Sequence, residues 1–186
     1  MPKAKKSKAA IASKKIVLDA SVLRAAGAQD AVHPQPKNCR AALIAILEIP
    51  HRAAITEGIL AEWKNHSSRF AKNWRNSMYA RRLIVQVLPA NCNDIYSSLR
   101  SSPHLSPSQI TAGEKDILLI AAARSADGVI LSLDEAARNI FHKVTTATCA
   151  LGSLLWANPV TEHKILQTWL RDGKPELTTL RNKLAD

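Results

Sequence analysis

Short aliphatic or β-branched runs alternate with longer stretches of helical apolar spacing along this chain, and that alternation limits its fold more than any other feature. Ile16-Val17-Leu18, Ala53–Thr56, Leu83–Leu88 and Val129–Leu133 each have the length and bounding residues of a buried strand. Strands separated by helices need crossover connections, so they lie parallel and are covered on both faces. The expected fold class is therefore α/β, a three-layer domain with a central parallel sheet of four to five strands flanked by helices. Lys143–Thr146 is the candidate for a last edge strand.

Helix boundaries follow from local chemistry. Ala20–Ala26 starts a helix that Gly27 can end, and a second runs from about Asn38 to Glu48 before Pro50 stops it. Thr56 can cap a long helix passing through Glu62 and Trp63 toward Arg75. The Ser- and Pro-rich stretch from Arg100 to Ala112 reads as a loop, and Thr111-Ala-Gly-Glu114 has the form of a capping box opening an apolar helix to about Ala126. Asp127-Gly128 is a turn, and Glu135–Phe141 a short helix. From about Thr161 the pattern predicts two amphipathic helices broken at Gly173-Lys174-Pro175. They are expected to pack on the domain, with a homodimer face as the alternative.

Composition removes several classes. At 186 residues, 46% apolar and 22% charged, the chain can bury an ordinary core without disulfide or structural-metal staples. Its longest apolar runs, Ala41–Leu47 and Ile117–Ala123, are far short of a bilayer span, and no signal-peptide core follows the N-terminal lysines. Cys39, Cys92 and Cys149 fit neither a disulfide framework nor a zinc knuckle, which suits a reducing cytoplasm. A net charge of +11 is unevenly spread. Residues 1–15 carry six of the lysines and no acid, predicting a disordered basic tail. Trp63 to Asn93 is also acid-free and holds Lys64, Arg69, Lys72, Arg75, Arg81 and Arg82 among Trp63, Phe70, Trp74 and Tyr79. Such a surface can bind phosphates, and exposed aromatics can stack on bases. The spacing of Phe70 and Trp74 equally suits a core stripe with the cations as its solvated face.

In open α/β sheets ligands bind outside the carboxyl ends of the strands, so acids there are the candidates for chemistry. Asp19 ends the first strand, Glu62 lies in the helix after the second, Asp116 opens the helix after the Ser/Pro stretch, and Asp134 follows the fourth strand. Carboxylates converging at an apolar rim repel one another unless cations neutralise them, and Mg²⁺ or Mn²⁺ with oxygen ligands does so. Each acid has a competing explanation. Asp19 suits a turn, Asp134 a helix N-cap, and Asp116 the positive end of its helix; Glu114 competes with Asp116 and Glu57 with Glu62. Isolated glycines exclude a phosphate-binding loop, and His33, His51, His66, His104, His142 and His163 have no metal-ligand spacing.

Three segments together resemble the PIN-domain nucleases: Ile16-Val-Leu-Asp19-Ala-Ser21-Val-Leu, Ile55-Thr-Glu-Gly-Ile-Leu-Ala-Glu62, and Asp116-Ile-Leu-Leu-Ile-Ala-Ala-Ala followed 18 residues on by Asp134 in Ile130-Leu-Ser132-Leu-Asp134. The resemblance covers residues 16–146 and implies a Mg²⁺- or Mn²⁺-dependent endoribonuclease acting on single-stranded RNA. It implies Asp19, Glu62, Asp116 and Asp134 as catalytic, metal-binding acids, with Ser21 and Ser132 orienting the site. The chain departs from the family in a longer 63–110 segment, a longer C-terminal part, and Ser132 where the family has Thr. The expected organisation is a basic tail over 1–15, a PIN-like catalytic domain over 16–146 and a helical extension over 147–186. Two alternatives remain: the toxin of a toxin–antitoxin pair, with an antitoxin as protein partner, and a non-catalytic PIN-like RNA-binding protein.

Overall fold

The computed structural model describes residues 13–27, 30, 32–144, 151–172 and 177. Most of the basic tail, Cys149, the far end of the expected edge strand and the second C-terminal helix lie outside these residues.

Five strands form one all-parallel sheet: β1 (Lys15–Leu18), β2 (Arg52–Ile55), β3 (Ile84–Gln86), β4 (Val129–Leu131) and β5 (Leu155–Ala157), in the order β3-β2-β1-β4-β5. The two central strands are buried along almost their whole length because neighbours cover both faces, which is why Ile16-Val17-Leu18 and Val129-Ile130-Leu131 are continuous apolar runs. The helices are α1 (Ala20–Ala25), α2 (Pro34–Glu48), α3 (Glu57–His66), α4 (Arg69–Ala80), α5 (Asn93–Ser101), α6 (Pro107–Arg124), α7 (Glu135–Val144) and α8 (His163–Asp172). The chain leaves β1 through β2 to β3 on one side, then crosses back to β4 and β5 on the other. Right-handed crossovers accordingly place the connecting helices α1–α4 and α5–α7 on opposite faces, while α8, which follows the last strand, returns to the first. The packing agrees: α2 lies against α1, α4 and α8, whereas α6 lies against α5 and α7. This reversal makes the carboxyl ends of β1 and β4 the topological switch point, where such sheets bind ligands.

Several boundaries differ from the sequence expectation, each for a local reason. The long helix expected after Thr56 is two, because Ser68 caps α4 by accepting the Ala71 N–H at 3.1 Å, while Thr56 caps α3. The capping box sits earlier than Thr111: Ser106 accepts from Gln109 N–H and Gln109 returns the bond to Ser106 N–H, so α6 begins at Pro107 and Thr111 lies inside it. The expected loop from Arg100 therefore spans the end of the unforeseen α5 and the first turns of α6. Prolines 34 and 36 open α2 instead of preceding it, as their fixed φ allows. Lys143 and Val144 end α7, and the fifth strand comes from Leu155–Ala157. At Gly113 a Cβ would stand 2.9 Å from Ile140 Cγ2 and 3.0 Å from Leu99 Cδ2, so the glycine lets α6 approach α5 and α7.

Candidate functional site

At the switch point Asp19 is fixed from three directions. Its N–H donates to the Leu131 carbonyl at 2.9 Å, and its Oδ2 accepts from Ser21 Oγ at 2.5 Å and from Ser132 Oγ at 2.6 Å. The serines in turn accept from the next loop: Leu133 N–H donates to Ser21 Oγ, and Asp134 N–H to Ser132 Oγ. Ser132 is completely buried, so its hydroxyl holds the loop after β4 against the end of β1. Both serine hydroxyls are thus bonded to the same carboxylate oxygen of Asp19. Asp134 follows in the same loop and accepts the Ala137 N–H at 2.8 Å, capping α7 while lying close enough to Asp116 to act on its charge.

Glu62 reaches this end of the sheet because of its neighbour. Trp63 is buried, and its indole N–H donates to the Leu18 carbonyl at 2.9 Å, pinning α3 beside the last residue of β1. Asp19, Glu62 and Asp116 then line one cleft of about 420 Å³ with Lys115, Ile59 and Leu119 among its walls. Asp116 is half-buried on α6. Burial first, then the charges of Asp134 and Asp19, push its carboxyl up to about 6, with Lys115 opposing. The structure thus brings all four acids to one end of the sheet, three in the cleft and the fourth coupled to it through Asp116.

The two competing acids are accounted for elsewhere: Glu114 binds Arg100 Nε at 2.6 Å, and Glu57 stands exposed in the first turn of α3. Of the other acids, Asp94 binds Arg124 at 2.9 Å and Asp127 accepts the Lys15 N–H.

The expected nucleic-acid surface divides. Lys64, Arg69 and Lys72 are exposed and Arg75 is half-buried; Arg81 donates to the Leu47 carbonyl at 3.3 Å, and Arg82 occupies a left-handed backbone position at φ 56°. Of the aromatics only Tyr79 is well exposed. Trp63 and Trp74 are core residues, edge to face at 6.1 Å, with Trp74 donating to the Leu43 carbonyl. Base stacking on these two is thereby excluded, since their rings fill the interior.

One cation escaped the sequence reading. Arg24, in the last turn of α1, lines a second polar groove with Ser21, Gln35, Leu133, Asp134 and Glu135. Its signal was available: Ser21 and Arg24 are three apart on one helix, so they share a face.

Among the described residues, no three His, Cys, Asp or Glu side chains converge to encage a metal ion by themselves. Mg²⁺ makes a smaller demand, one or two carboxylates with water and substrate phosphate oxygens completing its shell; Asp19 and Asp116, which line the same cleft, are the residues that could hold one. No helix among the described residues is long and apolar enough to cross a membrane. No family model, curated protein or solved structure matches this chain.

Proposed function

We propose that the protein is a Mg²⁺- or Mn²⁺-dependent endoribonuclease that hydrolyses single-stranded RNA, with the PIN-like constellation as its active site. The observation that carries this reading is the cleft holding Asp19, Glu62 and Asp116 at the switch point, with Asp116 raised by burial and then by the charges of Asp134 and Asp19. Carboxylates gathered at a partly desolvated cleft are suited to a divalent cation, which supplies charge neutralisation and Lewis acidity at a phosphodiester when bound.

The residues divide the work. Asp19, held by Ser21 and Ser132, and Asp116 are the ligands that would hold the ion; Glu62 lines the same cleft, and Asp134 stands near enough to act on Asp116. The water that such an ion would carry is the nucleophile, and the carboxylates of the cleft would hold the ion against the phosphodiester. Attack of that water on phosphorus forms the new P–O bond, the P–O3′ bond breaks, and the products are a 5′-phosphate and a 3′-hydroxyl. Lys64, Arg69, Lys72 and Arg24 give the flanking strand cations to follow. A reducing cytoplasm suits the buried free thiols of Cys39 and Cys92, the former pushed up to about 12 by burial.

The test is cleavage of an end-labelled mixed-sequence single-stranded RNA with Mn²⁺, Mg²⁺ or EDTA, beside Asp116→Asn. The expected outcome is metal-dependent cutting that falls at least about 100-fold in the variant, no less than the loss of a group that orients a metal ligand. Tight, salt-sensitive RNA binding by both proteins with no cutting under any metal would replace the nuclease by an RNA-binding protein.

A further inference from the structure

A groove of about 940 Å³ opens between the first turns of α6 and the outer side of α7, apart from the acidic cleft and unused by the chemistry above. Aliphatic Ala112, Ala136 and Ile140 line it, His104, His142 and Lys143 stand around it, and it has no Asp or Glu. Lys143 Nζ donates to the His104 carbonyl at 3.3 Å, tying the loop before α6 to α7. Its volume is that of a small-ligand site.

Groove and cleft share the wall made by α6. Ala112 precedes Asp116 by one helical turn, so both lie on one face of α6, about 6 Å apart along the axis. That face runs from Ser108 and Ala112 in the groove to Asp116 and Leu119 in the cleft. On the opposite wall Asp134 caps α7, and Ala136 lies in its first turn, lining the groove.

Charge and shape select the occupant. An acid-free groove with a lysine at its edge draws an anion, and the aliphatic walls accept a flat ring. A polyanion threaded through the cleft has its next unit one helical turn away. We propose that this groove is the subsite for the nucleotide flanking the scissile phosphate, with its base over Ala112, Ala136 and Ile140 and its phosphate toward Lys143. This assignment rests on the ribonuclease reading and names the part of the substrate that the site selects.

The test observes the histidine ring signals of the full-length protein by NMR in EDTA during titration with adenosine or uridine 5′-monophosphate. His104→Gln and His142→Gln assign the two signals. The expected result is that the mononucleotides shift His104 and His142 and leave His51 and His163 in place, whereas inorganic phosphate needs at least about tenfold more ligand. Ala136→Leu, at an exposed position that tolerates a larger side chain, should raise the apparent Kd for the mononucleotide about tenfold. In the cleavage assay it should raise KM by a similar factor and leave kcat within about twofold.

Mononucleotides that leave both signals unmoved, or move them equally in Ala136→Leu, would overturn the subsite. Shifts produced by a hexaglutamate peptide and not by nucleotides would overturn it in favour of a protein partner. Nucleotide shifts without RNA cleavage under any metal would sink the ribonuclease reading and leave a nucleotide site standing; cleavage without shifts would do the reverse.

Discussion

Asp116 concentrates the electrostatic strain of the site, and its titration has a definite sign. The unfolded carboxyl has a pKa near 3.8, against about 6 in the fold. Between those values the folded protein keeps a proton that the unfolded chain has released, so stability falls as pH rises through this window. Above it the ionised carboxylate destabilises the metal-free fold, by about 1 kcal/mol once solvent around a half-buried group is allowed for. Asp116→Asn should therefore raise the urea midpoint of the metal-free protein at pH 7.5, with the gain shrinking toward pH 4. An unchanged or lowered midpoint at pH 7.5 would mean that the neighbouring charges do not act on this residue as the geometry requires. The same substitution abolishes the proposed activity, so stability and catalysis pull in opposite directions at one side chain.

At the scale of single elements, the end of α4 shows how a motif can be completed by an unfavoured residue. Leu83 N–H donates to the Met78 carbonyl and Arg82 N–H to the Tyr79 carbonyl, the paired bonds of a Schellman ending. That geometry needs a left-handed residue, normally glycine, and Arg82 fills it at φ 56°. Arg82→Gly should stabilise the protein by about 0.5–1 kcal/mol, the relief of the Cβ clash less the extra freedom of the unfolded chain. Thermal unfolding of the pair of proteins checks this; a lower Tm for the variant would show that the Arg82 side chain contributes more than its backbone loses. α3 offers a second lesson. One indole hydrogen bond, from Trp63 to Leu18, fixes where Glu62 stands relative to Asp19.

Across the whole molecule, the late helix α8 is joined to the early strands through His51. Its Nδ1 accepts the Lys14 N–H at 3.0 Å, so its Nε2 carries the proton and donates to the Leu170 carbonyl at 2.9 Å, while the ring stacks on Trp169. Burial, helped by Lys14 and opposed by the bond to Leu170, holds this imidazole below its ordinary 6.5. The unfolded chain then binds more protons in the window beneath 6.5. The stabilisation is complete above that pH and is lost as pH falls through the folded value. Urea unfolding at pH 5 and 7.5 should show a larger acid loss in the wild type than in His51→Gln. Equal losses would remove His51 from the pH response.

How much of this was legible along the chain depends on the range of the interactions involved. The strand runs, the helix starts at Thr56 and Asp134, and the acids with their serines were readable because strand ends and caps are written in adjacent residues. The break at Ser67-Ser68, the early start of α6 and the existence of α5 were missed where polar residues obeyed caps that a Ser- and Pro-rich composition disguised. The fifth strand was displaced because a three-residue run such as Leu155–Ala157 becomes a strand only when β4 offers it an edge. The sequence alone determined a parallel α/β architecture and which acids stand at strand ends, since burial and backbone hydrogen bonding act through local pattern. Only the tertiary structure decided that Trp63 and Trp74 face inward, that Glu62 meets Asp19 and Asp116, and that a groove adjoins the cleft. Those outcomes depend on which helix faces meet across the sheet, and contacts between distant segments are not encoded in the spacing of any one segment.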